Sequence, residues 1–253
     1  MVINYAQLTS AITPVRLDGR IILITGAGSG IGEQVALGAA RLGATLLLLG
    51  RNESNLNRVA DQIRADQGSD PVIVPMDLAS LDEPQANELS HLIGQQFGRL
   101  DGLLHNASLL GKLGPIATTS LADWARIMTV NAFAPVVLTK ALLPLLEESS
   151  NATVLFTSSG VGRKGRAFWG AYAASKFATE GIAQTLADEM ELTSNVTVCC
   201  VNPGATRTTM RQAAFPGKAP STVTPPENLV PAYLHLLSGQ SSDSHGLSIN
   251  LQG

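Results

Sequence analysis

Charge is scarce in this chain. Only 15% of its 253 residues are charged, against roughly 25% in an ordinary soluble domain, and 17 basic against 20 acidic side chains leave a net charge of −3. No run of Lys and Arg builds the basic face that nucleic acids and anionic lipid surfaces require, so neither is an expected partner. Long apolar runs are also missing. The longest, residues 21–24, 45–49 and 141–146, fall far below the ~18 to 20 residues that cross a bilayer, so no membrane span is expected. Met1-Val2-Ile3-Asn4-Tyr5 has neither the cationic start nor the apolar stretch of a secretion signal, and the expected compartment is the cytoplasm. Cysteine is limited to the adjacent pair Cys199 and Cys200, which on a strand point to opposite faces and form no ordinary disulfide. His91, His105, His235 and His245 are scattered without ligand spacing, and no metal site is expected.

What is abundant is apolar mass. Hydrophobic residues make up 45% of the chain, too many for disorder, and a chain of this length can bury about 70 to 75% of its unfolded surface as one α/β domain. Short β-branched or Leu-rich segments, at 20–25, 44–49, 71–75, 100–105, 153–157, 196–201 and 247–251, alternate with longer amphipathic stretches. That is the pattern of successive βαβ units. Leu46 to Leu49 are apolar on both faces of their strand, so helices must cover both sides, giving a three-layer, doubly wound parallel sheet of the Rossmann type. Gly43, Gly68 and Gly98 mark helix ends, and Ser80-Leu81-Asp82-Glu83 reads as a capping box. The irregular segment 205–226, rich in Pro, Thr and small residues, reads as a substrate lid.

The first strand runs into Thr25-Gly26-Ala27-Gly28-Ser29-Gly30-Ile31-Gly32 and then a helix beginning near Glu33. A backbone that turns sharply and admits a pyrophosphate to a helix N-terminus has no room for Cβ atoms, and the free N–H groups there favour an anion. The pattern is TGxxxGxG, with Gly26, Gly30 and Gly32; GxGxxG fails because its sixth position is Ile31. The second strand ends Leu49-Gly50-Arg51. No carboxylate stands there to bind a ribose 2′-OH, and a guanidinium suits a 2′-phosphate, so the expected cofactor is NADP(H).

Toward the middle of the chain, the strand 153–157 empties into Ser158 and Ser159, and Tyr172 stands four residues before Lys176 on a predicted helix. That spacing lays ammonium beside phenol. Lys⁺ and an oxidised nicotinamide have the right sign to bring a phenol down from ~10 toward ~7, and Tyr172 could then serve as acid to a carbonyl or as base to an alcohol.

With His105-Asn106-Ala107-Ser108 and Pro203-Gly204 in the same order and spacing, the sequence resembles the short-chain dehydrogenase/reductase family over nearly its whole length. Within it, the stretch TSSGVGRKGRAFWGAYAASKFATEG most resembles the YciK-type bacterial oxidoreductases. The resemblance implies catalytic roles for Asn131, Ser159, Tyr172 and Lys176. It implies cofactor contacts from Gly26, Ser29, Gly30, Ile31, Gly32, Arg51, Asp77, Leu78, Asn106, Lys176, Pro203, Gly204, Thr206 and Thr208, and assembly as a homodimer or homotetramer. In detail, Ser159 would bond the substrate oxygen, Asn131 would hold a relay water to Lys176, and Asp77 would meet the adenine. Ser108 departs from the family's usual Gly, and the tail Asn250-Leu251-Gln252-Gly253 departs from its Val-Asp-Gly-Gly type.

Leu109, Leu110 and the 162–169 loop are expected to line the substrate side, with Phe168 and Trp169 near Tyr172 and Arg163, Lys164 and Arg166 as a basic cluster beside them. The expected activity is hydride transfer between NADP(H) and a small carbonyl or alcohol. The alternatives are a catalytically silent nucleotide-binding sensor or scaffold of the same fold, and an epimerase or dehydratase of the longer branch that shares YxxxK.

Overall fold

A computed structural model describes residues 1–8, 15–66 and 68–252. Eight strands form one wholly parallel sheet: β1 Val2–Asn4, β2 Ile21–Thr25, β3 Thr45–Gly50, β4 Val72–Pro75, β5 Gly102–His105, β6 Thr153–Thr157, β7 Thr197–Asn202 and β8 Ser248–Asn250. Their spatial order is β1-β8-β7-β6-β5-β2-β3-β4. The chain winds outward in both directions from β2 and β5, which are hydrogen-bonded neighbours (Ile22 beside Gly102, Ile24 beside Leu104). The crevice above their carboxyl ends is the topological switch point, where such sheets bind ligands.

The expected doubly wound sheet is thus present, and seven of its strands fall where the apolar segments place them. The eighth, β1, was not expected. Three residues carry too little pattern, and β1 exists only because β8, at the far end of the chain, pairs with it (Ile3 beside Ile249).

The two apolar faces are covered separately. On one, α1 (Gly30–Arg41), α2 (Glu53–Ala65) and α8 (Val230–Leu237) pack over Ile22, Ile24, Leu46, Leu48 and Cys199. On the other, α3 (Glu83–Phe97), α5 (Ala134–Glu147) and α6 (Gly170–Met190) pack over Leu23, Leu47, Leu49, Phe156 and Cys200. Alternation along β3 sends Leu46 and Leu48 to one core and Leu47 and Leu49 to the other. Cys199 and Cys200 divide the same way, both buried and free.

Three local expectations shift. Helix α1 begins at Gly30, not near Glu33. The cap of α3 is Asp82, which accepts from the Gln85 N–H while Gln85 returns a bond to the Asp82 N–H; the box is displaced two residues from Ser80 because Asp82 reaches the third helical N–H. Segment 205–226 is not irregular throughout, since it contains the short helix α7 (Thr209–Ala214) and is closed at its base by a Thr206–Thr224 bridge.

The remaining helix α4 (Leu121–Met128) passes through a π turn, Thr129–Phe133, into α5 without a break. Taken as one, Leu121–Glu147 is long and apolar enough by length and composition to span a membrane, which short apolar runs did not reveal; half of its most apolar stretch is buried inside the fold. Val130, Leu138, Leu142 and Leu146 lie in the core on the α3 side of the sheet. The π turn falls at Asn131, directly behind the cleft.

Candidate active site

The cleft at the switch point holds about 350 Å³. Its floor is the turn after β2. Gly26 has φ +69°, and a Cβ there would stand 2.9 Å from Ala107 Cα; one on Gly32 would stand 2.4 Å from the Gly26 carbonyl oxygen. No side chain fits either place. Ser29 caps α1 with extended backbone and makes no side-chain cap bond, which leaves the helix's first N–H groups free to meet an anion. Glu33, in that first turn, is drawn off by Arg58 through two bonds of 2.8 and 2.9 Å, so it does not neutralise the positive end of α1. The glycine cradle and open donors fit a dinucleotide pyrophosphate.

Thr25 ties this turn to the neighbouring strand. Its hydroxyl donates to the Leu104 carbonyl and accepts from the N–H groups of Asn106 and Ala107 at 2.9 and 3.0 Å, while the Asn106 amide donates to the Thr25 carbonyl. At the other end, Arg51 follows β3, exposed and without an ion pair among the described residues. Asp77 folds back on the Ala79 N–H, and Leu78 is buried beside it.

Tyr172 and Lys176 sit on the first turns of α6, both buried at under a tenth of their surface exposed. The ammonium lies 5.7 Å from the phenol ring centroid and donates to the Thr157 carbonyl at 2.8 Å. The expected lowering of the phenol calls on Lys176 and an oxidised nicotinamide together. In the chain by itself burial pushes Tyr172 up to about 12, and the Ser159 and Ser108 hydroxyls pull against it. Burial also lowers Lys176 to about 8, opposed by the neighbouring Cys200 and Glu180. In a dry cleft each group resists its charged form.

Asn131 is buried and fully engaged. Its side chain accepts from the Leu109 N–H at 2.7 Å and donates to the Leu109 carbonyl and to Ser175 Oγ, both at 2.9 Å. It therefore clamps the strand-end loop to α6, and its side chain makes no bond to Lys176. Ser158 is also buried, and its hydroxyl, like that of Ser108, has no hydrogen-bond partner among the described residues.

The cleft brings together Gly26, Ser29, Gly30, Ile31, Arg51, Asp77, Leu78, Asn106, Ser159, Tyr172, Lys176, Pro203, Gly204, Thr206 and Thr208. Gly32 and Asn131 shape it from behind. Leu109, Leu110 and Trp169 line it, with Trp169 edge-on to Tyr172 at 5.8 Å between ring centroids. Phe168 does not enter it. That residue has φ +73°, is 60% exposed, and is pinned through its carbonyl to the Gly114 N–H. The basic cluster is split as well: Arg163 turns inward to Glu180, Ser248 and Asn250, whereas Arg166 stays at the cleft's lip. His105 is packed, stacked on Phe156 and bonded to Thr139, and burial lowers it to about 3.

Sequence reasoning missed the Thr25 clip and Arg211 as parts of the site, and noted Ser108 only as a departure from the family's Gly. Thr25 begins the glycine motif and was available to inspection; the other two acquire meaning only from the folded lid and loop. Gln252, in the departing tail, donates to the Pro203 and Ala205 carbonyls and accepts from Thr224, so the tail holds both ends of the lid. Gly253 lies outside the described residues.

A phosphate cradle and a buried phenol beside an ammonium, sharing one switch point, define a class of oxidoreductase. Residues 20–219 match the short chain dehydrogenase family, and the chain belongs to it. It is 46% identical over 236 residues to the oxidoreductase YciK of Escherichia coli K12, covering 93% of each chain. A short chain dehydrogenase of Shigella flexneri solved with NADP superposes with a TM-score of 0.91 at 45% identity, over 94% of this chain and 99% of that one. One from E. coli CFT073 solved with NADPH gives 0.92 at 45% identity, over 96% and 100%.

Proposed function

We propose that the protein transfers a hydride between NADP(H) and a small carbonyl or alcohol substrate, with Tyr172 exchanging the proton. The observation that carries this reading is the placement of Tyr172, Ser159 and Lys176 in one cleft together with the glycine cradle. When bound there, the nicotinamide supplies or accepts the hydride. Gly26 and the open N-terminus of α1 would hold the pyrophosphate, and Lys176 would hold the nicotinamide ribose. Arg51 would take the 2′-phosphate, a reading supported by the absence of a carboxylate at the end of β3 and by the NADP and NADPH complexes of the two relatives.

A phenol near 12 keeps its proton at neutral pH and can donate it to a carbonyl oxygen as hydride arrives. Ser159 orients the substrate oxygen toward that proton, and Trp169 with Leu109 and Leu110 excludes water. Acting as base in the reverse direction needs the added positive charge of an oxidised nicotinamide. Assembly as a homodimer or homotetramer belongs to the same reading, supported by Phe133, Val136 and Phe177, which are 61, 41 and 48% exposed on the π turn, α5 and α6.

Tyr172→Phe tests the assignment. With a panel of aldehydes, ketones and quinones, the variant is expected to lose roughly 10²- to 10⁴-fold in kcat and to bind NADPH as the wild type does. A wild type that binds NADPH and reduces nothing in the panel would favour the silent sensor.

A further inference from the structure

At the lip of the cleft three cations surround one aromatic ring. The guanidinium carbon of Arg211 lies 3.8 Å from the centroid of Phe215, that of Arg166 5.3 Å, and the Lys218 ammonium 5.6 Å. None of the three forms an ion pair among the described residues. What sets them apart from the other unpaired cations is that all three gather on one ring.

The arrangement concentrates positive charge. An exposed cation over a ring face gains about 0.5 to 1 kcal/mol, but one ring has two faces, and three like charges around it repel. Partial burial first, and then the Arg166 charge, hold the Arg211 pKa below the usual guanidinium value. An anion placed among the three removes the repulsion and gains charge-assisted hydrogen bonds.

The cluster is joined to the chemistry. Arg211 lines the main cleft together with Tyr172, and also an adjoining groove of about 270 Å³ shared with Phe215 and Lys218. Trp169 spans the two, 5.8 Å from the Tyr172 ring and 5.7 Å from that of Phe215. Arg51, the cation expected at the cofactor's 2′-phosphate, follows β3 instead.

We propose that Arg166, Arg211 and Lys218 form a subsite for an anionic group, carboxylate or phosphate, carried by the carbonyl substrate. The inference rests on the oxidoreductase reading, since it needs the carbonyl beside Tyr172 while the acid reaches past Trp169. The same chemistry could serve the cofactor's pyrophosphate, because Gly30 and Thr208 border the groove; the experiment separates the two sources.

The probes are 4-formylbenzoate and its methyl ester, matched in shape and differing by one charge. Calorimetry on the NADP⁺-loaded protein reads their binding without requiring turnover. Wild type is expected to bind the acid about tenfold or more tightly than the ester, one charge-assisted contact. In Arg166→Gln/Arg211→Gln that ratio falls toward one while the Kd for NADPH holds, and Arg166→Lys/Arg211→Lys restores part of it. Equal binding of acid and ester by wild type overturns the proposal. So does a loss of NADPH affinity that parallels the loss of the acid, which assigns the cluster to the cofactor. If the acid is preferred but neither probe is reduced, the subsite stands and the proposed reaction is what fails for this substrate.

Discussion

The two ends of the sheet differ in how their charged groups are held, although each leaves some buried polar atoms unpaired, Arg20 Nε and Thr153 Oγ1 at the amino end among the described residues. At the amino ends of the strands, Arg20 is buried, donating to Asn151 Oδ1 and the Asp101 carbonyl, both at 2.7 Å. Asp101 accepts from the Ile21 N–H at 2.8 Å, from Ser149 at 2.7 Å and from Arg99. At the carboxyl ends, the hydroxyls of Ser108 and Ser158 are buried without partners, α1 is left uncapped by Ser29, and Arg51 stands free of carboxylates. Polar groups satisfied within the chain hold the sheet together. Those left unpaired at the cleft, Ser108 and Ser158, are costly in the isolated fold and are placed where a bound ligand could bond them.

If that division is right, breaking the amino end must cost stability and spare the cleft. Asp101→Ala leaves the Ile21 N–H and Ser149 without an acceptor in a buried place, and a loss of roughly 3 kcal/mol is expected from denaturant unfolding, with NADPH affinity intact. The pH dependence gives the sign. Burial alone would raise Asp101, but the bonds from Ser149, the Ile21 N–H and Arg99 outweigh it and hold the carboxyl below its ordinary value. Its contribution is therefore present above the unfolded pKa of ~3.9 and lost as pH falls through the lower folded value. In the variant the acid limb of the stability profile should flatten; a cleft defect at unchanged stability would dissolve the contrast.

Breaking the carboxyl end must do the reverse. Gly50→Asp with Arg51→Ser should turn the cofactor preference from NADP toward NAD by about 10- to 100-fold, the worth of one or two charge-assisted contacts, at little cost in stability. The Asp Cβ would meet Leu56 Cδ2 at 3.2 Å, close enough that this flexible side chain must give slightly. Kd values for both cofactors check the outcome, and unchanged NADP selectivity removes Arg51 from its role.

The same contrast explains what could be read from the chain in advance. Gly26, Gly32, Tyr172 and Lys176 are legible because local geometry alone demands them: a turn with no room for Cβ, and two side chains one helical turn apart. The seven main strands are legible because Leu46 to Leu49 must be covered on both faces. What escapes is whatever depends on distant partners. Strand β1 has no identity without β8. The π turn at Asn131 leaves the helical periodicity almost undisturbed, and Gln252 gains its function only when the tail crosses the lid. Electrostatics is only half legible for a related reason: spacing predicts the Lys–Tyr pair, but burial, which raises the phenol of the chain by itself to about 12, depends on the fold.

Ser108 is where the division can be tested most finely, because the effect is small and its direction is not obvious. Its hydroxyl faces the Tyr172 phenol and, like that of Ser159, acts on it as a hydrogen-bonding group that favours the ionised form. Removing it in Ser108→Gly leaves burial less opposed, so the phenol should rise further. In the reduction direction Tyr172 is already protonated at neutral pH, and kcat should change by no more than a few-fold, on the order of one hydrogen bond. In alcohol oxidation the phenolate is required, and the alkaline rise of the rate should move to higher pH in the variant. A merely structural serine would lower both directions together and leave the profile in place. The shift of the oxidation limb alone, with reduction almost untouched, is what a hydroxyl bonded to the phenolate predicts.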